Sequence, residues 1–229
     1  ATYTGEWRGT ERHGHGEQVW PDGARYSGQW ISDQAEGEGR FEHVDGDVYE
    51  GGWRNDKAHG VGVYQHVDGS RFEGQWLEDK QNGHGIEVWP EGARYEGSYK
   101  GGRKTGQGKF TWSDQSRYEG EFDDNDIHGK GVYEWGDGRK FEGEWVRNRM
   151  QGEGCFTWID GRKYVGQYHH DKKDGHGVFS WPDGRSYDGQ WKDGKQHGGG
   201  TYMSAAGEPR TGEWKEGRRL KWTDGGKDP

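Results

Sequence analysis

The chain is predicted to be all-β, an elongated single-layer antiparallel sheet of consecutive 23-residue β-hairpins that winds into a twisted ribbon. Three observations lead there. An aromatic residue recurs every 23 positions without insertion, at Tyr3, Tyr26, Tyr49, Phe72, Tyr95, Tyr118, Phe141, Tyr164 and Tyr187. A fixed period of that length marks a stack of small supersecondary units. Within each copy the apolar signal alternates with period two, as a strand with one buried face requires. Composition agrees, because 46 glycines and only 26% hydrophobic residues leave too little for a two-layer core, while 14 Trp, 12 Tyr and 7 Phe bury much surface per residue.

With the recurring aromatic as position zero, the first strand carries glycine at +2 in every copy and an aromatic at +4, such as Trp30, Trp53, Trp76 and Trp145. The polar segment from +6 to +10 reads as the hairpin loop. Glycines stand at +11 and +13, and aromatics at most +15 and +17 positions make the second strand. An Asp-Gly pair or a close variant at +19 and +20 turns the chain into the next copy. Putting a glycine across from a ring at two of three rungs suggests that +17 lies opposite the next position zero, +15 opposite +2 and +13 opposite +4, leaving space for rings over the backbone. The same sums are expected inside each hairpin. The other face carries Arg or Lys at −1 (Arg71, Arg94, Lys140) and mainly Glu at +1 (Glu73, Glu96, Glu142), often with Glu or Gln at +3, and reads as a solvated charge lattice. About nineteen strands at roughly 4.8 Å spacing would extend on the order of 90 Å.

The units "YEGGWRNDKAHGVGVYQHVDGS" and "FEGEWVRNRMQGEGCFTWIDGRK" resemble MORN repeats (membrane occupation and recognition nexus), whose pattern begins Y-x-G-x-W/F and continues through G-x-G. Nine copies fill residues 1–209, and 210–229 hold a partial tenth copy and a tail. The pattern is broken at Gln115, where the turn glycine is missing, and along "SAAGEPRTGEW". Without a kinase, methyltransferase or membrane-spanning companion, the chain is similar to the carboxyl-terminal nine-repeat portion of the all-repeat MORN scaffold proteins of protozoan parasites. That resemblance implies a non-catalytic cytoskeletal scaffold in the cytoplasm, at membrane-associated cortical or division structures, with cytoskeletal or membrane-skeleton proteins as partners.

Several function classes are disfavoured by the residues themselves. A net charge of −9 argues against nucleic acid and gives weak or no bilayer binding. No apolar run reaches the roughly 18 residues of a membrane-spanning helix. One cysteine excludes an internal disulfide framework and points to a reducing compartment. The repeated G-x-G lies on strands with no following helix, so it is no phosphate loop. No nucleophile–base or carboxylate pair stands out, so no enzyme activity is expected, and no cofactor is required.

Four sets of residues are candidates for sites. Trp53, Trp76, Trp135, Trp145 and Trp158 belong to the aromatic face, which no second layer covers and which can act as core or as a groove for a partner segment. Lys140, Lys163, Lys172 and Lys173 are the candidate contacts for phospholipid headgroups under the alternative reading, a peripheral lipid-binding module. Cys155, His169 and His170 depart from the repeat pattern; the expected pairing of Cys155 with Gln167 puts His169 diagonally beside it, a candidate structural zinc site completed by a second chain. Finally, the chain begins at a repeat boundary, as a truncated array would, and its irregular carboxyl end reads as a natural terminus. An unpaired edge there predicts an antiparallel homodimer through Gly198, Gly199, Gly200, Tyr202 and Trp214.

Overall fold

The computed structural model describes residues 1–225, and every regular element among them is a β-strand. The chain divides into two units, Ala1–Ser113 and Asp114–Pro229. The first holds β1 (Thr2–Arg8), β2 (Glu11–Val19), β3 (Arg25–Ile31), β4 (Gln34–Glu42), β5 (Val48–Arg54), β6 (Lys57–Gln65), β7 (Arg71–Leu77), β8 (Lys80–Val88), β9 (Arg94–Lys100) and β10 (Arg103–Thr111). The second holds β11 (Arg117–Asp123), β12 (Asp126–Glu134), β13 (Lys140–Val146), β14 (Arg149–Thr157), β15 (Lys163–His169), β16 (Lys172–Ser180), β17 (Ser186–Lys192), β18 (Lys195–Met203), β19 (Pro209–Lys215) and β20 (Arg218–Trp222). Within each unit, strands adjacent in sequence pair antiparallel, so each repeat is one hairpin. The expected fold class is the observed one.

The expected register is not. Between repeats, +15 faces the next position zero (Gln18 opposite Tyr26), +13 faces +2 (Gly16 opposite Gly28) and +11 faces +4 (Gly14 opposite Trp30). Each of these pairings is therefore shifted by two residues, and inside the hairpin +4 faces +9 (Trp53 opposite Ala58), four short of the expected +13. Between repeats the shift arises because +17 sits in the connecting turn, where the Trp20 amide donates to the Ala24 carbonyl at 2.9 Å; inside each hairpin it arises because the turn occupies only +6 and +7. In the third repeat these are Asn55 and Asp56, both left-handed at φ 49° and 63°. Such a two-residue turn matches the twist of the flanking strands. The second strand thus starts at +8, inside the segment that reads as loop, and two surplus residues are taken up around the +11 glycine, where the register breaks. Gly60 there has φ 76°, the left-handed bulge conformation that glycine adopts without steric cost.

Side chains lock this geometry. The +3 Gln or Glu, expected in the charge lattice, reaches across the bulge instead: Gln29 Oε1 accepts from the Glu38 amide at 3.1 Å, Gln75 from His84 at 2.8 Å and Gln167 from His176 at 2.9 Å. The turn residue at +7 reaches back one repeat, with Asp79 Oδ1 accepting from the Ala58 amide at 2.8 Å and Asp171 Oδ1 from the Met150 amide at 2.8 Å. On the charged face the −1 and +1 residues pair as expected, for example Arg94 with Glu96 at 2.7 Å and Arg71 with Glu73 at 2.8 Å.

The core is one layer of rings on one face. Each position-zero ring lies over the +13 glycine; a Cβ on Gly108 would come within 2.7 Å of Tyr95 Cε2. Tyr95, Tyr118, Phe141, Tyr164 and Tyr187 are wholly buried. The tyrosine hydroxyls escape desolvation by donating to the +3 carbonyl, as Tyr164 does to Gln167 at 3.0 Å. A +4 ring with an aromatic position zero in its own and in the preceding repeat stands edge-on between the two: Trp53 lies 5.0 Å from Tyr26 and 5.2 Å from Tyr49, and its indole N–H donates to the Gly39 carbonyl at 3.0 Å. A tryptophan is buried only when the preceding repeat supplies a ring, and Trp7, which has none, is 56% exposed.

Candidate functional site

In each unit the +15 and +17 rings complete the aromatic face, and most of them remain half-buried. In the first unit they enclose a concavity of about 330 Å³ lined by Phe41, His43, Tyr49, Trp53, Asp56, Ala58, Tyr64, Trp76 and Asp79. Trp53 and Trp76 line this concavity. The +9 residue sets its depth, since Ala58 fills little space beneath the rings. One wall is held by Asp47, whose Oδ1 accepts from the Val67 amide at 2.9 Å and whose Oδ2 accepts from Tyr64 at 2.9 Å. The backbone bond from Val67, helped by the Tyr64 hydroxyl and by His66, keeps Asp47 below the usual carboxylate range. Burial, and then the bond to Asp47, pushes the Tyr64 phenol up.

In the second unit Trp145 is buried at 5% exposure and serves the core, while Trp135 and Trp158 are half-buried. Trp135 stands 4.6 Å from Tyr133 and 5.2 Å from Phe156, with the Arg139 guanidinium 5.3 Å away. Trp158 forms one side of a cage around Lys173. The Lys173 ammonium lies 4.6 Å from the Trp191 ring, 4.7 Å from Phe179, and 5.3 Å from both Trp158 and Tyr164. Burial, with a smaller contribution from Arg162, pulls its pKa down to about 8. In the sequence Lys173 falls in the polar +6 to +10 segment that reads as loop; it sits instead at +9 on β16, on the aromatic face. The recurring position was legible, since Arg12 and Lys104 occupy +9 in other repeats and also lie over rings, Arg12 at 4.2 Å from Trp30 and Lys104 at 5.0 Å from Trp89.

The candidate headgroup lysines do not converge. Lys140 is 3.7 Å from Glu142 and Lys172 is 3.0 Å from Asp193. Lys163 is exposed on β15, on the charged face, whereas Lys173 is enclosed by rings on the other.

The geometry that joined Cys155 to His169 rested on the shifted register and is corrected with it. Cys155 faces Glu142 on one side and Val165, not Gln167, on the other. His169 lies at the far end of β15, where its Nδ1 is 3.1 Å from Gln151 Nε2. His170 and Asp171 are the left-handed pair of a hairpin turn, at φ 47° and 67°. Among the described residues, no group of three or more His, Cys, Asp or Glu is arranged to hold a metal ion.

The residues expected at a dimer contact are partly committed within the chain. Gly198, Gly199, Gly200 and Tyr202 lie on β18, which pairs with β17 on one side and β19 on the other, so they form no free edge. Tyr187 covers Gly200, and Trp214 is buried against Tyr187 at 4.9 Å. Among the described residues the outermost strand of this unit is β20, formed by the partial tenth copy and paired with β19. The last four residues of the tail lie outside the described residues.

A repeating hairpin with one aromatic face and one charged face defines a β-repeat protein. The MORN-repeat family model matches residues 3–25, 26–48, 49–71, 72–94, 95–117, 118–138, 141–161, 164–184 and 187–208, and the chain belongs to the MORN-repeat family. Comparison with curated protein sequences returned no match. Among solved structures, the chain is similar to the TCP10 domain of Danio rerio CPAP in complex with a peptide of Danio rerio STIL, at 13% identity and TM-score 0.54 over 97% of this chain and 99% of that one. It also matches the Drosophila melanogaster SAS-4 TCP domain in complex with a proline-rich motif of Ana2, at 15% identity and TM-score 0.42 over 68% and 85% of the two chains. The first likeness supports the fold; neither extends further by itself.

Proposed function

We propose that this chain is a non-catalytic scaffold that binds segments of partner proteins along its aromatic face. The observation that carries this reading is the cavity of about 330 Å³ over Ala58, walled by half-buried rings that no second layer covers. Rings exposed on one side and packed on the other bury large apolar area on contact, at little conformational cost to themselves. The likeness in fold to a domain solved with a bound peptide is consistent with it. A photo-crosslinking residue at Phe41 should capture partner protein in cells, whereas the same residue at Val61, 66% exposed on the charged face, should not. Equal capture at both positions would refute the assignment to the aromatic face.

The cytoskeletal setting in the cytoplasm follows the MORN-scaffold resemblance, and a two-fold homodimer fits an outermost strand β20 that could pair with its copy. Solution mass of the full chain, compared with a chain ending near residue 186, tests the dimer, and a monomer in both cases would exclude it. Phospholipid binding is the weaker reading, because Lys140 and Lys172 are already ion-paired. Robust co-sedimentation with liposomes at physiological salt would reverse that order.

A further inference from the structure

The cage that holds Lys173 in the second unit recurs in the first without its lysine. Counting by repeats, Trp158, Tyr164, Phe179 and Trp191 correspond to His43, Tyr49, Tyr64 and Trp76, and Lys173 corresponds to Ala58. The ring geometry is closely similar at the two places. Tyr164 and Trp191 stand 5.3 Å apart at 83°, and Tyr49 and Trp76 stand 5.1 Å apart at 79°. Phe179 and Trp191 are 6.1 Å apart at 38°, against 6.1 Å at 33° for Tyr64 and Trp76. What differs is the filling: an ammonium in one, a cavity of about 330 Å³ in the other.

The two sites also differ in charge in the direction this filling requires, since Asp79 corresponds to Gly194, while Asp56 has its counterpart in Asp171. The cavity over Ala58 is lined by Asp56 and Asp79. In each, Oδ1 accepts a backbone amide, from Ala35 at 2.7 Å and Ala58 at 2.8 Å, so the second carboxylate oxygen remains to receive a donor. Ring faces attract a cation through their quadrupoles, and carboxylates beside them add charge complementarity. Lys104 shows the combination inside this chain, with its ammonium 5.0 Å from the Trp89 ring, 5.1 Å from Tyr95 and 2.8 Å from Glu87 Oε2.

We propose that the ring-lined cavity over Ala58 is a binding site for an alkylammonium group, and that its occupant is a lysine side chain of a partner protein entering from the solvent side. The inference rests on the protein-binding reading above and names the chemistry of the segment bound there.

The test uses the full chain and a small probe, Nα-acetyl-lysine methylamide, followed by the indole N–H resonances of Trp53 and Trp76. The probe should shift both signals saturably, and its Nε-acetylated form should bind at least about tenfold more weakly, since acetylation removes the charge the rings attract. Ala58→Lys should abolish binding by filling the cavity from within, as Lys173 does, while the indole signals of the second unit stay in place. Asp79→Asn keeps an oxygen for the Ala58 amide but loses the charge, and should weaken binding by about three- to tenfold. Equal binding of the two probes, or undiminished binding to Asp79→Asn, would overturn the proposal even if Ala58→Lys failed to fold. If the probe fails while crosslinking from Phe41 still captures partner protein, only the lysine assignment falls; if both fail, the protein-binding reading falls too.

Discussion

Two adjacent glycines on β18 should respond to the same substitution with opposite signs. A Cβ on Gly200 would lie 2.7 Å from Tyr187 Cε2 and 2.8 Å from both Cζ and the hydroxyl oxygen, roughly 1 Å inside ordinary contact. Tyr187 has little room to yield. Its ring stands between Trp191 at 5.4 Å and Trp214 at 4.9 Å, and its hydroxyl donates to the Gln190 carbonyl at 3.0 Å. A methyl added at Gly199, one residue earlier and on the other face, would meet no atom within 4 Å, and the backbone there is not left-handed. Gly200→Ala should therefore cost about 1–3 kcal/mol by overpacking, beyond what the stiffer unfolded chain returns. Gly199→Ala should stabilise by about 0.4–1 kcal/mol through that unfolded-state term alone. For a chain of this size each kcal/mol moves Tm by about 2–4 °C, which thermal unfolding followed by tryptophan fluorescence resolves. If Gly200→Ala melts at or above the parent, or below it by no more than Gly199→Ala does, the account of rings seated on glycine is wrong.

Three further outcomes follow from the same geometry. Lys173 releases its proton near pH 8 when folded and at 10.5 when unfolded, so between those values the unfolded state binds more protons and stability rises with pH. Urea midpoints of the parent should increase from about pH 8 to 9.5, and those of Lys173→Met should stay flatter; above that window buried tyrosines such as Tyr187, pushed up to about 12, act in the opposite direction. Asp171→Ala loses the acceptor for the Met150 amide and puts a poorly suited residue at φ 67°, and should lower stability by about 1–2 kcal/mol in denaturant titration, with Asp171→Asn much milder. Val165→Cys sits directly opposite Cys155 and should form an intrachain disulfide under oxidation, seen as a mass loss of about 2 Da, whereas Gln167→Cys should not; the reverse result would restore the other register.

Periodicity in the sequence was enough to determine the repeat, the hairpin and the two faces, because side-chain parity along a strand is independent of which neighbour lies opposite. Tyr26, Trp30 and Phe41 share a face under any pairing that slips by an even number of residues. That is why parity placed Trp53 and Trp76 on the aromatic face, while the pairing of Cys155 with Gln167 gave way to Val165. The pairing step itself depends on where the chain reverses. Asn55-Asp56, Gly101-Gly102 and Asp193-Gly194 carried the signal of a two-residue turn, but they stand in a mostly polar segment whose remaining residues are strand. Only the folded backbone shows that the chain around Gly60 and its equivalents absorbs two extra residues. Tertiary structure alone also decided what stands beneath the rings. Whether +9 is Ala58 or Lys173 can be read from the sequence, but that one leaves a cavity and the other fills a cage follows from rings of three successive repeats meeting over one position.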